Sequence, residues 1–199
     1  MVMVDQQGLL SRRPTVAALL QERGDLLVVT GLGSPTYDVA ACSHSDANFY
    51  LWGAMGSAVT VALGLALSQP DKPVAAITGD GEMLMGVGSL ATCVTQAPKN
   101  LTIVVLDNRH YGETGMQSSH TGLGVELHKV AKGMGIENAH EITDEQGVLA
   151  LREKLISPKE LGFATIRVGT VADERVLPSR DGIANKLNFR AALGLPAGH

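Results

Sequence analysis

Two short clusters in this chain could hold a metal ion and an anion together. Gly79-Asp80-Gly81 closes one apolar run, Val74 to Thr78, and Asp107-Asn108 closes the next, Leu101 to Leu106. Asp80 and Asn108 stand 28 positions apart. That is room for a helix and a returning strand, so both residues reach the same edge of a parallel sheet. A carboxylate and an amide oxygen side by side are hard ligands that suit Mg²⁺ when phosphate oxygens help complete its octahedron. Gly79 and Gly81 let a diphosphate approach the backbone closely. A helix opening near Glu82 turns its free N–H groups toward the same anion. Gly-Asp-Gly alone is also a common tight turn; the asparagine after the following strand is what gives the pair its meaning.

The elements that must position these residues alternate, apolar strand-like runs with helix-like stretches, which is the pattern of a parallel α/β layer fold. A helix is expected at Pro14 to Arg23, then a strand at Asp25 to Thr30 ending in Gly31-Leu32-Gly33-Ser34-Pro35. Helices follow at Ala54 to Ser68, Met83 to Gln96, Val125 to Lys132 and Asp144 to Ile156. Further strands are read at Val74 to Thr78, Leu101 to Leu106, Asn138 to Ile142 and Phe163 to Val168. Every strand ends in Gly, Asp, Asn or Ser, and ligands of open parallel sheets bind beyond the carboxyl ends of the strands. The expected organisation is a helical segment over 1–24, the α/β domain over 25–168, and a tail over 169–199. That tail carries one short helix near Gly182 to Leu193 and wraps a neighbour or the domain itself.

The composition fits this plan. Of 199 residues, 45% are hydrophobic and 18% charged, with 4% aromatic and 23 glycines, so the core is built from small and aliphatic side chains in close contact. A net charge of −4 speaks against a nucleic-acid partner, which needs clustered Lys and Arg. Arg12-Arg13 and Arg152 to Lys154 read as solvated helix faces. Cys42 and Cys93 lie among small apolar residues and read as buried structural thiols. No signal-like leader and no membrane-length apolar run is present in the sequence, so the reading is cytoplasmic.

Gly79-Asp80-Gly81 followed by Asp107-Asn108 resembles the cofactor motif of the thiamine-diphosphate enzymes. That motif usually ends in Asn-Asn; Asp107 replaces the first here, and Asn108 is kept. The resemblance implies Mg²⁺ held by the Asp80 and Asn108 side chains and the His110 main-chain carbonyl. It places Gly79, Gly81, Glu82 and Tyr111 against the cofactor. Upstream, Asn48 to Gly56 is similar to the element that holds the aminopyrimidine ring. There the Gly53 carbonyl would accept from the 4′-amino group, and Met55 would be the wedge beneath the bent cofactor. Without the downstream motif, Met55 would read as a core residue opening a helix.

Ser34 reads either as a diphosphate contact or as a helix N-cap. Glu113 is the acid that the resemblance assigns to the carbanion step, with a surface or capping glutamate as the other reading. His110, His120 and Gln117 are read as groups that bind an anionic tail or shuttle protons. His44, in a loop, either faces the cofactor or is simply exposed.

From about Leu26 to Val168 the chain is similar to the small subunit of sulfopyruvate decarboxylase and to the matching domain of phosphonopyruvate decarboxylase. This implies an α/β fold with a mostly parallel sheet flanked by helices on both faces. It also implies the β subunit of a thiamine-diphosphate- and Mg²⁺-dependent non-oxidative decarboxylase of a small anionic 2-oxo acid. In this superfamily a glutamate from a separate pyrimidine-binding domain activates the cofactor. The expected source is an α subunit, in a hetero-oligomer of α2β2 type or larger. Alternatives are a carboligase subunit and a non-catalytic binding module that keeps the fold. A generic nucleotide-binding domain is disfavoured, because Gly31 to Thr36 does not complete a GxGxxG turn.

Overall fold

The computed structural model describes residues 4–5, 8–171 and 173–196. The chain order begins α1 (Arg12–Leu20), β1 (Leu27–Thr30), α2 (Ser34–Cys42), β2 (Asn48–Tyr50), α3 (Ala58–Ser68) and β3 (Val74–Gly79). It continues α4 (Asp80–Met85), α5 (Ser89–Gln96), β4 (Leu101–Asp107) and a small hairpin of β5 (His110–Tyr111) and β6 (Gln117–Ser118). After a 3₁₀ turn, His120–Leu123, come α6 (Leu127–Gly133), β7 (Asn138–Ile142), α7 (Glu145–Ile156), β8 (Gly162–Arg167) and α8 (Gly182–Ala192).

Six of the strands form one parallel sheet in the order β2-β1-β3-β4-β8-β7. Strand residues alternate between two apolar layers. Leu27, Val29, Ala76, Ile103 and Phe163 pack into one layer with α3, α5, α6 and α8. Val28, Ala75, Ile77, Val104 and Ile166 pack into the other with α1, α2 and α7. Strands buried on both faces in this way read as continuous apolar runs, which is why their sequences show no alternation. The chain turns outward to β2 after β1 and outward to β4 after β3. The order therefore reverses between β1 and β3, the place where such sheets open a ligand crevice.

The expected layer fold and its strands are present, with three differences in the helices. Met83 to Gln96 is not one helix. Gly86, between α4 and α5, lies so close to the Gly56 carbonyl that a Cβ there would stand 2.0 Å from its oxygen. The helix at Ala54 to Ser68 begins later, at Ala58, because Gly53 and Gly56 hold positive φ angles of 73° and 87°. Helix α2 was anticipated only through the N-cap reading of Ser34; Pro35 in its first turn is the start signal that Gly-rich surroundings obscured.

Arg12 and Arg13 are not a solvated face. Both donate to Asp38 of α2, a fully buried carboxylate. The Arg152 to Lys154 stretch is solvated as expected, with Glu153 and Lys154 exposed and Arg152 bonded to the exposed Glu22 at 3.0 Å. The segment before β1 joins the second apolar layer through Leu10, Val16 and Leu19, and Leu10 bridges Val168 just past β8. The tail folds over its own domain, with Phe189 buried edge-on to Phe49 at 5.4 Å between ring centres. Among the described residues no helix is long and apolar enough to cross a membrane.

Candidate functional site

Three loops at the carboxyl ends of β1, β3 and β4 enclose a cleft of about 190 Å³. Its lining includes Ser34, Met55, Gly79, Asp80, Gly81, Glu82, Asn108, His110, Tyr111 and Glu113. These are most of the residues singled out from sequence, gathered from four separate stretches of chain. Gly53 sits two residues before Met55 in the adjoining turn, and His120 stands just outside, its Nδ1 3.0 Å from the Tyr111 hydroxyl.

The loop after β1 reaches α2 through Gly33, at φ +84°. Gly33 is the N-cap, so Ser34 is the first residue of the helix and not its cap. The start of α2 therefore presents the Ser34 hydroxyl and unpaired N–H groups to the cleft.

Asp80 lies one residue beyond β3 and is 2% exposed. Its Oδ2 accepts from the Ser119 hydroxyl and lies 3.1 Å from the Thr121 hydroxyl. The Thr121 hydroxyl also faces Asp107 Oδ1 at 2.7 Å, and Asp107 accepts from the Arg109 N–H and from Arg167 as well. Each hydroxyl carries one proton, so the consistent arrangement is Ser119 to Asp80 and Thr121 to Asp107. Asp107 thus has a cation, and Asp80 has none among the described residues. Burial pushes the Asp80 carboxyl up, Asp107 adds to that, and the two hydroxyls pull it partly back.

This is the observation against which a metal ion can be tested. Asp80 is a buried carboxylate without a counter-charge, and its Oδ1 takes no side-chain hydrogen bond among the described residues. Asn108 Oδ1 accepts from the His110 N–H at 2.9 Å, which leaves a second lone pair. The donor set is hard oxygen throughout, and it fits Mg²⁺. Around it the backbone is bare by necessity. A Cβ on Gly81 would stand 2.6 Å from the Tyr111 ring, so that ring lies flush on the main chain after Asp80.

Glu82 lines the cleft but turns its carboxylate back under the first loop. Leu32 N–H donates to Oε2 at 3.2 Å, and Gly31 has no room for a side chain because that carboxylate fills it. Its Oε1 is buried without a hydrogen bond among the described residues. Burial pushes its pKa up, against the nearby Thr78 hydroxyl and the N–H groups of Leu32, Gly56 and Ala58. Glu113 packs against Gly33 at the cleft mouth and pairs with Arg175 at 3.3 Å. The His110 ring bonds the Asn108 carbonyl at 2.9 Å. Gln117 bonds Thr114 in the exposed hairpin turn, and His44 lies elsewhere, outside the cleft lining.

Sequence reasoning missed Ser119, Thr121, Arg167 and Arg12. Ser119 and Thr121 stand 39 and 41 positions from Asp80, with no spacing rule to link them. Arg12 was visible only as part of a basic pair.

A crevice at the switch of a parallel sheet, with an oxygen pair beside a bare backbone, defines an α/β domain with a ligand site beyond its strand ends. The chain belongs to the thiamine pyrophosphate enzymes: residues 33–168 match the C-terminal TPP binding domain. It is 36% identical over 152 residues to sulfopyruvate decarboxylase of Methanosarcina acetivorans, covering 76% of this chain and 39% of that protein. It is 42% identical over 111 residues to sulfopyruvate decarboxylase subunit beta of Methanocaldococcus jannaschii, covering 56% of this chain and 58% of that one. Proteins named phosphonopyruvate decarboxylase are similar as well. Benzoylformate decarboxylase from Polynucleobacter necessarius shares the fold, with a TM-score of 0.67 at 19% identity over 87% of this chain and 36% of that one. The chain spans only about half, or less, of the length of these relatives.

Proposed function

We propose that this chain is the β subunit of a thiamine-diphosphate- and Mg²⁺-dependent decarboxylase. Its substrate is a 2-oxo acid with a second anionic group, of the sulfopyruvate or phosphonopyruvate kind. The observation that carries the reading is the placement of Asp80 and Asn108 beyond neighbouring parallel strands, on one cleft. Bound thiamine diphosphate supplies a carbanion nucleophile that also accepts the electron pair left when CO₂ departs.

The protein groups do the rest. Asp80 Oδ1, Asn108 Oδ1 and the His110 main-chain carbonyl hold the Mg²⁺. The start of α2 with Ser34, and the backbone at Gly79, Gly81 and Glu82, take the diphosphate, while Tyr111 closes over Gly81. The Gly53 carbonyl and the Met55 side chain orient the pyrimidine end. Glu113 is the carboxyl at the cleft mouth that moves a proton at the reacting carbon. His110 lines the cleft, and His120 relays protons from solvent through the Tyr111 hydroxyl.

The partner is an α subunit that brings the pyrimidine-binding domain and its activating glutamate, in an α2β2 or larger assembly. The exposed apolar side chains of Met55, Met85, Met116 and Leu123 support this. Met55 lines the cleft and Met116 the chamber beside it, and Met85 and Leu123 are 65% and 77% exposed. Relatives named subunit beta support it too.

The test is CO₂ release from sulfopyruvate and phosphonopyruvate, by this chain alone and with its partner. Release only with the partner, lost in EDTA, with aldehyde as product, is expected. A product joined to a second carbonyl compound would replace the decarboxylase with a carboligase. No turnover of any 2-oxo acid by the assembled pair would sink the enzymatic reading.

A further inference from the structure

Arg12 lies outside the span that matches the family, yet it lines the cleft, together with Ser34, Asn108 and Gly112 on the adjoining wall. It is 8% exposed, and its Nε is bound to the fully buried Asp38. Asp38 also takes the Arg13 Nε, at 3.1 Å, so one carboxylate is shared between two guanidinium groups. Arg13 spends a terminal nitrogen on the Glu174 carbonyl. The terminal nitrogens of Arg12 make no hydrogen bond among the described residues. The nearest acid, Asp173, stands off at 3.8 Å. A guanidinium has five N–H donors in a fixed fork. Arg12 is held at Nε by Asp38, with Asp173 as a loose ion-pair partner for a terminal nitrogen.

That fork faces a side chamber of about 80 Å³ opening off the cleft. Since a water occupies about 30 Å³ of liquid, the chamber suits one small group. Arg13, Tyr37, Met116, Thr170, Asp173 and Arg175 also line it. Glu113, the other acid there, is engaged by Arg175 at 3.3 Å.

We propose that Arg12 is the receptor for a tetrahedral oxyanion in this chamber, which binds its terminal nitrogens where Asp173 now stands off. Planar, two-pronged donation to such a group is what arginine does better than lysine. The proposal rests on the functional reading above for the source of the anion. The source is either the terminal phosphate of the cofactor or the second anionic group of the substrate, and both present the same oxygens.

The experiment is calorimetric titration of the full chain with its partner, using three probes: thiamine diphosphate with Mg²⁺, methylphosphonate, and inorganic phosphate. Two variants are compared, Arg12→Lys and the double variant Arg12→Met/Asp38→Asn. The double variant replaces the buried pair with neutral groups, so that no lone carboxylate is stranded. Thermal unfolding confirms that each is folded. A loss of about tenfold or more in methylphosphonate affinity, with cofactor affinity kept, assigns the chamber to the substrate. A similar loss for thiamine diphosphate assigns it to the cofactor. If the natural sequence binds no thiamine diphosphate but binds inorganic phosphate through Arg12, the functional reading fails while this inference stands. Folded variants that bind every probe as the natural sequence does would overturn it.

Discussion

At Asp80 a carboxylate is held away from water beside two hydroxyls, with no cation among the described residues, while Asp107, one strand over, has Arg167. The difference has a consequence for stability. Asp80→Asn should raise the unfolding free energy of the metal-free chain by about 1 kcal/mol or more, because it removes an unbalanced buried charge. The same change should abolish Mg²⁺-dependent cofactor binding, so thermal melts with and without Mg²⁺ should move in opposite directions relative to the natural sequence. Gly81→Ala should push the Tyr111 ring off the backbone and weaken cofactor binding by about tenfold, or ~1.4 kcal/mol by calorimetry. Cys93 is fully buried, and burial pushes its thiol up to about 11. It should resist alkylation near neutral pH in the folded chain, as mass spectrometry would register. Asp80 and Asn108 were legible in the sequence because strand–helix–strand spacing brings their positions together. Ser119, Thr121 and Arg12 were not. Their meaning depends on partners 26 to 41 positions away that no local period connects.

The strands were legible because each is a short apolar run bounded by turn residues, and burial on both faces leaves few other readings. The helices around the cleft were less so. The α4–α5 break is set by Gly86 meeting Gly56 across thirty residues, a contact that helix propensity cannot register. Gly86→Ala should therefore destabilise the fold by about 1–3 kcal/mol. Gly88→Ala, two residues on, meets open space at φ −61° and should be neutral or stabilising by up to about 1 kcal/mol. Denaturant melts of the two variants would separate a packing break from a mere glycine preference. Helix α2 was hidden by the glycines that precede it, although Pro35 marks its first turn and Asp38, one turn on, anchors Arg12 and Arg13.

The described residues are built around one six-stranded sheet whose order reverses between β1 and β3, so the first loop and Asp80 face each other across a crevice. Its N-terminal helix and C-terminal tail both bend back to that edge. Arg12 comes from one and Arg175 from the other, beside Glu113. Met55, in the cleft lining, is 42% exposed, and on the proposed reading the partner subunit covers it. The most direct test is calorimetric titration of thiamine diphosphate into the chain with its partner, in Mg²⁺ and then in EDTA, beside the Asp80→Ala variant. The account predicts saturable binding that vanishes both in EDTA and in Asp80→Ala. Undiminished Mg²⁺-dependent binding by Asp80→Ala would contradict it.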